Sequence, residues 1–123
     1  MTHARIALGL DGEAHARRVL EQRGYQILAC RYRTRQGEID LVARHEGVVV
    51  FVEVKTRRGC AFGDPAASVT AQKQRRVALM AVDYLARHGL ERAPVRFDVV
   101  SVEAPAHGPP LVTVIADAFR PGW

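Results

Sequence analysis

Three charged residues fall where this chain should be folding strands, and their types are those of metal-assisted hydrolysis. Asp40 stands alone between Ile39 and Leu41. Glu53 and Lys55 close a run that begins at Val48 and is otherwise valine and phenylalanine. Successive side chains of a strand point to opposite faces. Glu53 and Lys55 therefore share a face with Val49 and Phe51, while Val48, Val50, Val52 and Val54 share the other. The valine face reads as core. Glu38, Asp40 and Val42 share a face of the preceding strand. A hairpin around Glu46-Gly47 brings Asp40 near Glu53. Two carboxylates a few ångströms apart repel each other unless a cation or a proton lies between them. Hard divalent ions such as Mg²⁺ take oxygen ligands of this kind.

The elements that position these groups follow from periodicity. A helix is expected over 10–23, with Ala16, Val19 and Leu20 at helical spacing and Gly24 as its stop. Strands are expected over 25–33, 38–43 and 48–56, with turns at Gln36-Gly37 and 45–47. A loop over 57–68 leads to a second helix from Thr70, a good N-cap, to about His88, with Gly89 as its stop. Strands over 95–102 and 111–118 follow, separated by a proline-bearing loop over 105–110. The order α-β-β-β-α-β-β, with a helix between the third and fourth strands, implies a crossover to a parallel neighbour. The fold class is α/β, with a central mixed five-stranded sheet flanked by helices.

Both helices add a charge to the cluster. Glu13 precedes Ala16 and Leu20 by three and seven residues, on the apolar stripe that faces the sheet. In the second helix Val69, Lys73, Val77, Ala81 and Leu85 recur every four residues, so Lys73 falls in the buried stripe. Each charge also has a structural reading. Glu53 and Lys55 are compatible with a solvated strand pair. Asp40 could pair with Arg31, Arg33 or Arg35. Glu13 could serve the helix dipole, and Lys73 could snorkel to solvent. Their joint placement is what favours a site.

The chain has 123 residues, one domain's worth over 1–123, and is 48% hydrophobic, enough for a core without covalent staples. Its two cysteines, Cys30 and Cys60, form no metal-ligand spacing and read as reduced packing residues. The first ten residues lack the apolar stretch of a signal peptide, and the apolar run 48–52 is too short to span a bilayer. A soluble cytoplasmic protein with no membrane association is expected. The formal charge of +5 suits a polyanionic partner without specifying one. His15, His45, His88 and His107 have no ligand or triad spacing and read as surface or turn residues, with His3 in a loose terminus. Ser68 and Ser101 lack a nucleophile-elbow context, and no phosphate-binding glycine pattern occurs.

The ordered set Gly37-Glu38-Ile39-Asp40-Leu41 and Val50-Phe51-Val52-Glu53-Val54-Lys55-Thr56-Arg57 resembles the PD-(D/E)xK nuclease signature, with Ile39 where that motif has proline. More narrowly, the chain resembles the YraN, or UPF0102, family. The likeness extends to Gly12-Glu13 with Ala16, Gly24-Tyr25, Phe62-Gly63, Lys73 and Arg96-Phe97-Asp98-Val99-Val100. The resemblance implies a restriction-endonuclease-like core similar to archaeal Holliday-junction resolvases. It implies Asp40, Glu53 and the main-chain carbonyl of Val54 as ligands of Mg²⁺ or Mn²⁺, Glu13 as the first-helix acid, and Lys55 as the catalytic lysine. The expected activity is phosphodiester hydrolysis in DNA, on branched or structured substrates. Arg31, Arg33, Arg35, Arg57 and Lys73 are the expected nucleic-acid contacts, joined by Arg58 near the strand ends, and a homodimer is expected by analogy. The alternative is a non-catalytic nucleic-acid-binding module that keeps the endonuclease fold.

Overall fold

The structure, a computed structural model, describes residues 3–58 and 64–122, and the side chains of the first helix from Gly12 onward. Its elements are α1 (His3–Gln22), β1 (Gln26–Thr34), β2 (Gly37–His45), β3 (Val48–Arg58), α2 (Ala71–Arg87), β4 (Val95–Ala104) and β5 (Leu111–Ile115), with a 3₁₀ turn at Pro65–Ser68 before α2. The strands lie in the order β1-β2-β3-β4-β5. All neighbours are antiparallel except β3 and β4, which run parallel across the α2 crossover. The α/β class, the mixed sheet and the element order match the sequence expectation.

The helices take opposite faces of the sheet. Val49 and Phe51 of β3 join Val77, Ala81, Tyr84 and Leu85 of α2 in one apolar cluster. Val50 and Val52, the alternate residues, join Ala16 and Leu20 of α1 in the other. The face carrying Glu53 is therefore the one that α2 covers. Being covered on both sides explains why β3 reads as an almost unbroken apolar run.

Several boundaries differ from expectation. Helix α1 begins at His3, not near residue 10, so His3 is helical. Strand β3 continues through Arg58 because β4 pairs with it to the register Arg58↔Ala104. β5 ends at Ile115, where its pairing with Val99 ends. Cys60 and the Phe62-Gly63 pair lie outside the described residues. Cys30 is exposed rather than packed, with the Arg17 guanidinium donating to its sulfur at 3.3 Å. His45 is no bare turn residue: its ring stacks on Tyr25 with centroids 4.1 Å apart. His88 stacks on Tyr84 at 3.9 Å, at the end of α2. No described helix is long and apolar enough to cross a membrane.

Candidate metal centre

The site begins where β2 and β3 part. Their pairing runs from His45↔Val48 to Leu41↔Val52 and stops there. Beyond that point β3 keeps β4 on one side only, leaving main-chain groups on its other edge without a strand partner. The Asp40 side chain fills the gap: Val54 N donates to its Oδ2 at 2.8 Å. A carboxylate here replaces the missing rung of the ladder.

Strand β2 also turns over at this residue. Ile39 belongs to the α2-side cluster and Leu41 to the α1-side cluster, although they are two residues apart. Strict alternation, which put Glu38, Asp40 and Val42 on one face, fails here. Val42 packs on the α2 side, while Glu38 turns towards Glu13 of α1. Asp40 lies at the crossover and reaches groups from both faces.

Glu53 comes from the α2 side. It is 8% exposed, and Lys73 Nζ donates to its Oε1 at 2.8 Å. The helical stripe thus delivers Lys73 to the site and not to solvent. Thr70 fixes the start of that helix, its hydroxyl accepting from Lys73 N at 3.2 Å. Lys55 lies beside Lys73, one strand position pair beyond Glu53.

From the α1 side comes Glu13. A β-carbon added to Gly12 would lie 2.3 Å from Thr56 Oγ1. Only glycine lets the helix press this closely on β3, and Glu13 is the next residue. Carboxylate oxygens of Glu13, Glu38 and Asp40 all lie within 4.8 Å of one another. Sequence reasoning missed Glu38 as a member. Its place in the GEID run was visible, but the turnover of β2 was not.

The arginines expected near Asp40 are engaged elsewhere. Arg31 Nε donates to Glu13 Oε2 at 2.9 Å, from a backbone in the left-handed region with φ 53°. Arg33 pairs with Glu38 at 3.0 Å and Arg57 with Glu103 at 3.3 Å. Arg35 and Arg58 are exposed. No described arginine pairs directly with the Asp40 carboxylate.

The electrostatics follow from these positions. Burial, then the charge of Glu53 and that of Glu13, push the Asp40 carboxyl from 3.8 up to about 7, against the pull of the Val54 amide and Lys73. Burial and then the neighbouring Lys73 ammonium pull Lys55 below its ordinary value. Burial acts against the charge of Lys73 too, but its hydrogen bond to Glu53 and that carboxylate's charge outweigh it, so Lys73 is raised. A half-buried acid whose carboxyl is raised to about 7 beside other acids fits a hard divalent cation. An all-oxygen donor set is available, and the single donor on Asp40 among the described residues leaves it room to bind.

The comparisons with known proteins agree on kinship. The chain is 52% identical over 113 residues to a UPF0102 protein of Symbiobacterium thermophilum, covering 92% of this chain and 96% of that one. It is 47% identical over 115 residues to one of Rhodococcus jostii, covering 93% and 97%. A third, from Geotalea uraniireducens, is 46% identical over 114 residues, covering 93% and 90%. The profile of the uncharacterised protein family UPF0102 matches residues 12–102. That span begins at the glycine beneath Thr56 and takes in every acid and lysine of the site, and the chain belongs to this family.

Proposed function

We propose that this protein is a metal-dependent nuclease that hydrolyses phosphodiester bonds in DNA, with branched or structured DNA as its substrate. The observation that carries the reading is the convergence on Asp40. A half-buried carboxylate receives a main-chain hydrogen bond, lies beside Glu53, Glu13 and Glu38, and is flanked by Lys55 and Lys73. The acids around it carry their own cations, Glu13 with Arg31, Glu38 with Arg33 and Glu53 with Lys73, while Asp40 takes no arginine among the described residues. The restriction-endonuclease-like core implied by the resemblance is in keeping with the mixed sheet and its element order.

In this reading Asp40 and Glu53 hold Mg²⁺ or Mn²⁺, with the Val54 carbonyl and Glu13 as further members of the shell. An ion held there would supply Lewis-acid activation of water and would offset charge developing on the phosphoryl group. Asp40 keeps its orientation through the Val54 amide. Lys55 is placed to orient the attacking water and to stabilise, as a point charge, the charge developing on the phosphoryl group. Lys73 anchors Glu53 and presents a cation to a phosphate oxygen. Arg31, Arg33, Arg35 and Arg57 bind the backbone without reading sequence.

A second reading rests on the Lys73–Glu53 ion pair. A lysine holding the ligand carboxylate at 2.8 Å is what a silent nucleic-acid-binding module would retain. Cleavage of linear, single-stranded, flapped and four-way DNA with Mg²⁺ or Mn²⁺, beside a Glu53→Ala control, separates the two. Metal-dependent cutting lost in the control is the expected result. Salt-dependent binding with no cutting selects the silent module, and cutting that survives Glu53→Ala sinks the site as drawn.

A further inference from the structure

The side of α2 that faces away from the sheet is apolar at its middle. Leu79 and Val82, one turn apart, are 56% and 51% exposed. They form a ridge between two recesses that share Val82. One, of about 270 Å³, is bordered by Arg75, Ala78 and the Pro121-Gly122 segment. The other, of about 440 Å³, is bordered by Leu85, Ala86 and Glu91. Arg75 and Glu91 therefore stand at opposite ends of the ridge with opposite charge. Both are exposed, and neither makes an ion pair with another described residue.

An apolar ridge with a cation at one end and an anion at the other is complementary to itself after a half-turn. Antiparallel packing of two such helices sets ridge against recess. It also brings Arg75 of each copy towards the partner's Glu91, so the match is made twice. An unrelated partner would have no reason to require both ends. We propose that the chain forms a twofold dimer through the outer face of α2, with Leu79 and Val82 central and reciprocal Arg75–Glu91 pairs at the rim. Lys73 faces the opposite side of the same helix, so the interface leaves the metal centre uncovered. The proposal does not depend on nuclease activity.

Sedimentation equilibrium of the full chain tests it. The expected mass rises with concentration from 13.6 kDa towards twice that value. Leu79→Lys should weaken association about thirtyfold or more, as removal of a central anchor does. Arg75→Glu and Glu91→Arg should each weaken it roughly three- to tenfold, and the double variant should recover most of the loss. Circular dichroism melts of each variant establish that the fold is retained. A monomer at every concentration into the millimolar range overturns the proposal and leaves this face to another protein. A dimer indifferent to Leu79→Lys, or one that the double charge reversal fails to restore, overturns it as well. A monomer that still cuts DNA would sink the dimer and spare the nuclease reading.

Discussion

Two aspartates are drawn from water in this fold, Asp98 wholly and Asp40 in part, and their surroundings have little else in common. Asp98 is fully buried and saturated with donors. Arg96 donates to it from Nε at 2.8 Å and from Nη2 at 3.1 Å, Tyr25 from its hydroxyl at 2.9 Å, and the Asp117 amide at 3.0 Å. The Tyr25 hydroxyl is held up at about 12 by burial, then by the charge of Asp98 and its hydrogen bond. His45 stacked on Tyr25 completes the assembly. Asp98 ties the end of α1, the end of β2 and the start of β4 together. Asp40 has one donor among the described residues, and its charged neighbours are mainly acids, Glu53 and Glu13, with Lys73. A protein that buries a charge for stability surrounds it with opposite charge; one that buries it for use leaves coordination open.

The contrast makes demands of opposite sign. Asp98→Ala leaves the Arg96 guanidinium partly buried without its counter-charge, and should cost about 3–5 kcal/mol in urea unfolding. A loss below about 1 kcal/mol would mean that the network is ornamental and that the two aspartates differ less than their surroundings suggest. Asp40→Asn should go the other way. The folded carboxyl titrates near 7 against an ordinary 3.8, so the folded state holds the proton more tightly than the unfolded chain. Wild-type stability is then lost as pH rises from about 4 to about 7. Asparagine can still accept from the Val54 amide, and the variant should exceed wild type by roughly 2 kcal/mol at pH 8, with the gap closing below pH 4. Thermal melts across pH read this directly, and destabilisation at pH 8 would contradict the account. Mg²⁺ should narrow the same gap by stabilising only the wild type.

Lys73→Met supplies the smallest effect and links the two regions. It removes the cation that pairs with Glu53 among the described residues, so it should cost about 1 kcal/mol without metal. It should also tighten Mn²⁺ binding in calorimetry, because the carboxylate no longer has a competitor. Weaker metal binding in this variant would make Lys73 a support of the metal shell instead.

Much of this was legible in the sequence. Alternation placed β2 and β3, a helical stripe placed Lys73 inside, and the isolation of Asp40 between Ile39 and Leu41 marked it. What could not be read depends on where strands separate. The turnover of β2, which carries Ile39 to one core and Leu41 to the other and brings in Glu38, follows from loss of pairing after Leu41↔Val52. No local pattern encodes that. Likewise Arg96-Phe97-Asp98 was visible as a motif, but its partner Tyr25 lies 73 residues from Asp98. The early start of α1 at His3 was hidden because its first turns show no apolar periodicity.

The hydrogen bond from the Val54 amide to Asp40 gives the protein an indicator of its own. A peptide proton bound to a carboxylate is deshielded, and it shifts when that carboxylate takes up a proton or a cation. In the folded chain this one resonance should move through neutral pH with Asp40 and respond to Mg²⁺ or Mn²⁺. A nuclear magnetic resonance spectrum of the unmodified protein, with no substrate and no added label on the site, would then report the state of the centre from within the backbone.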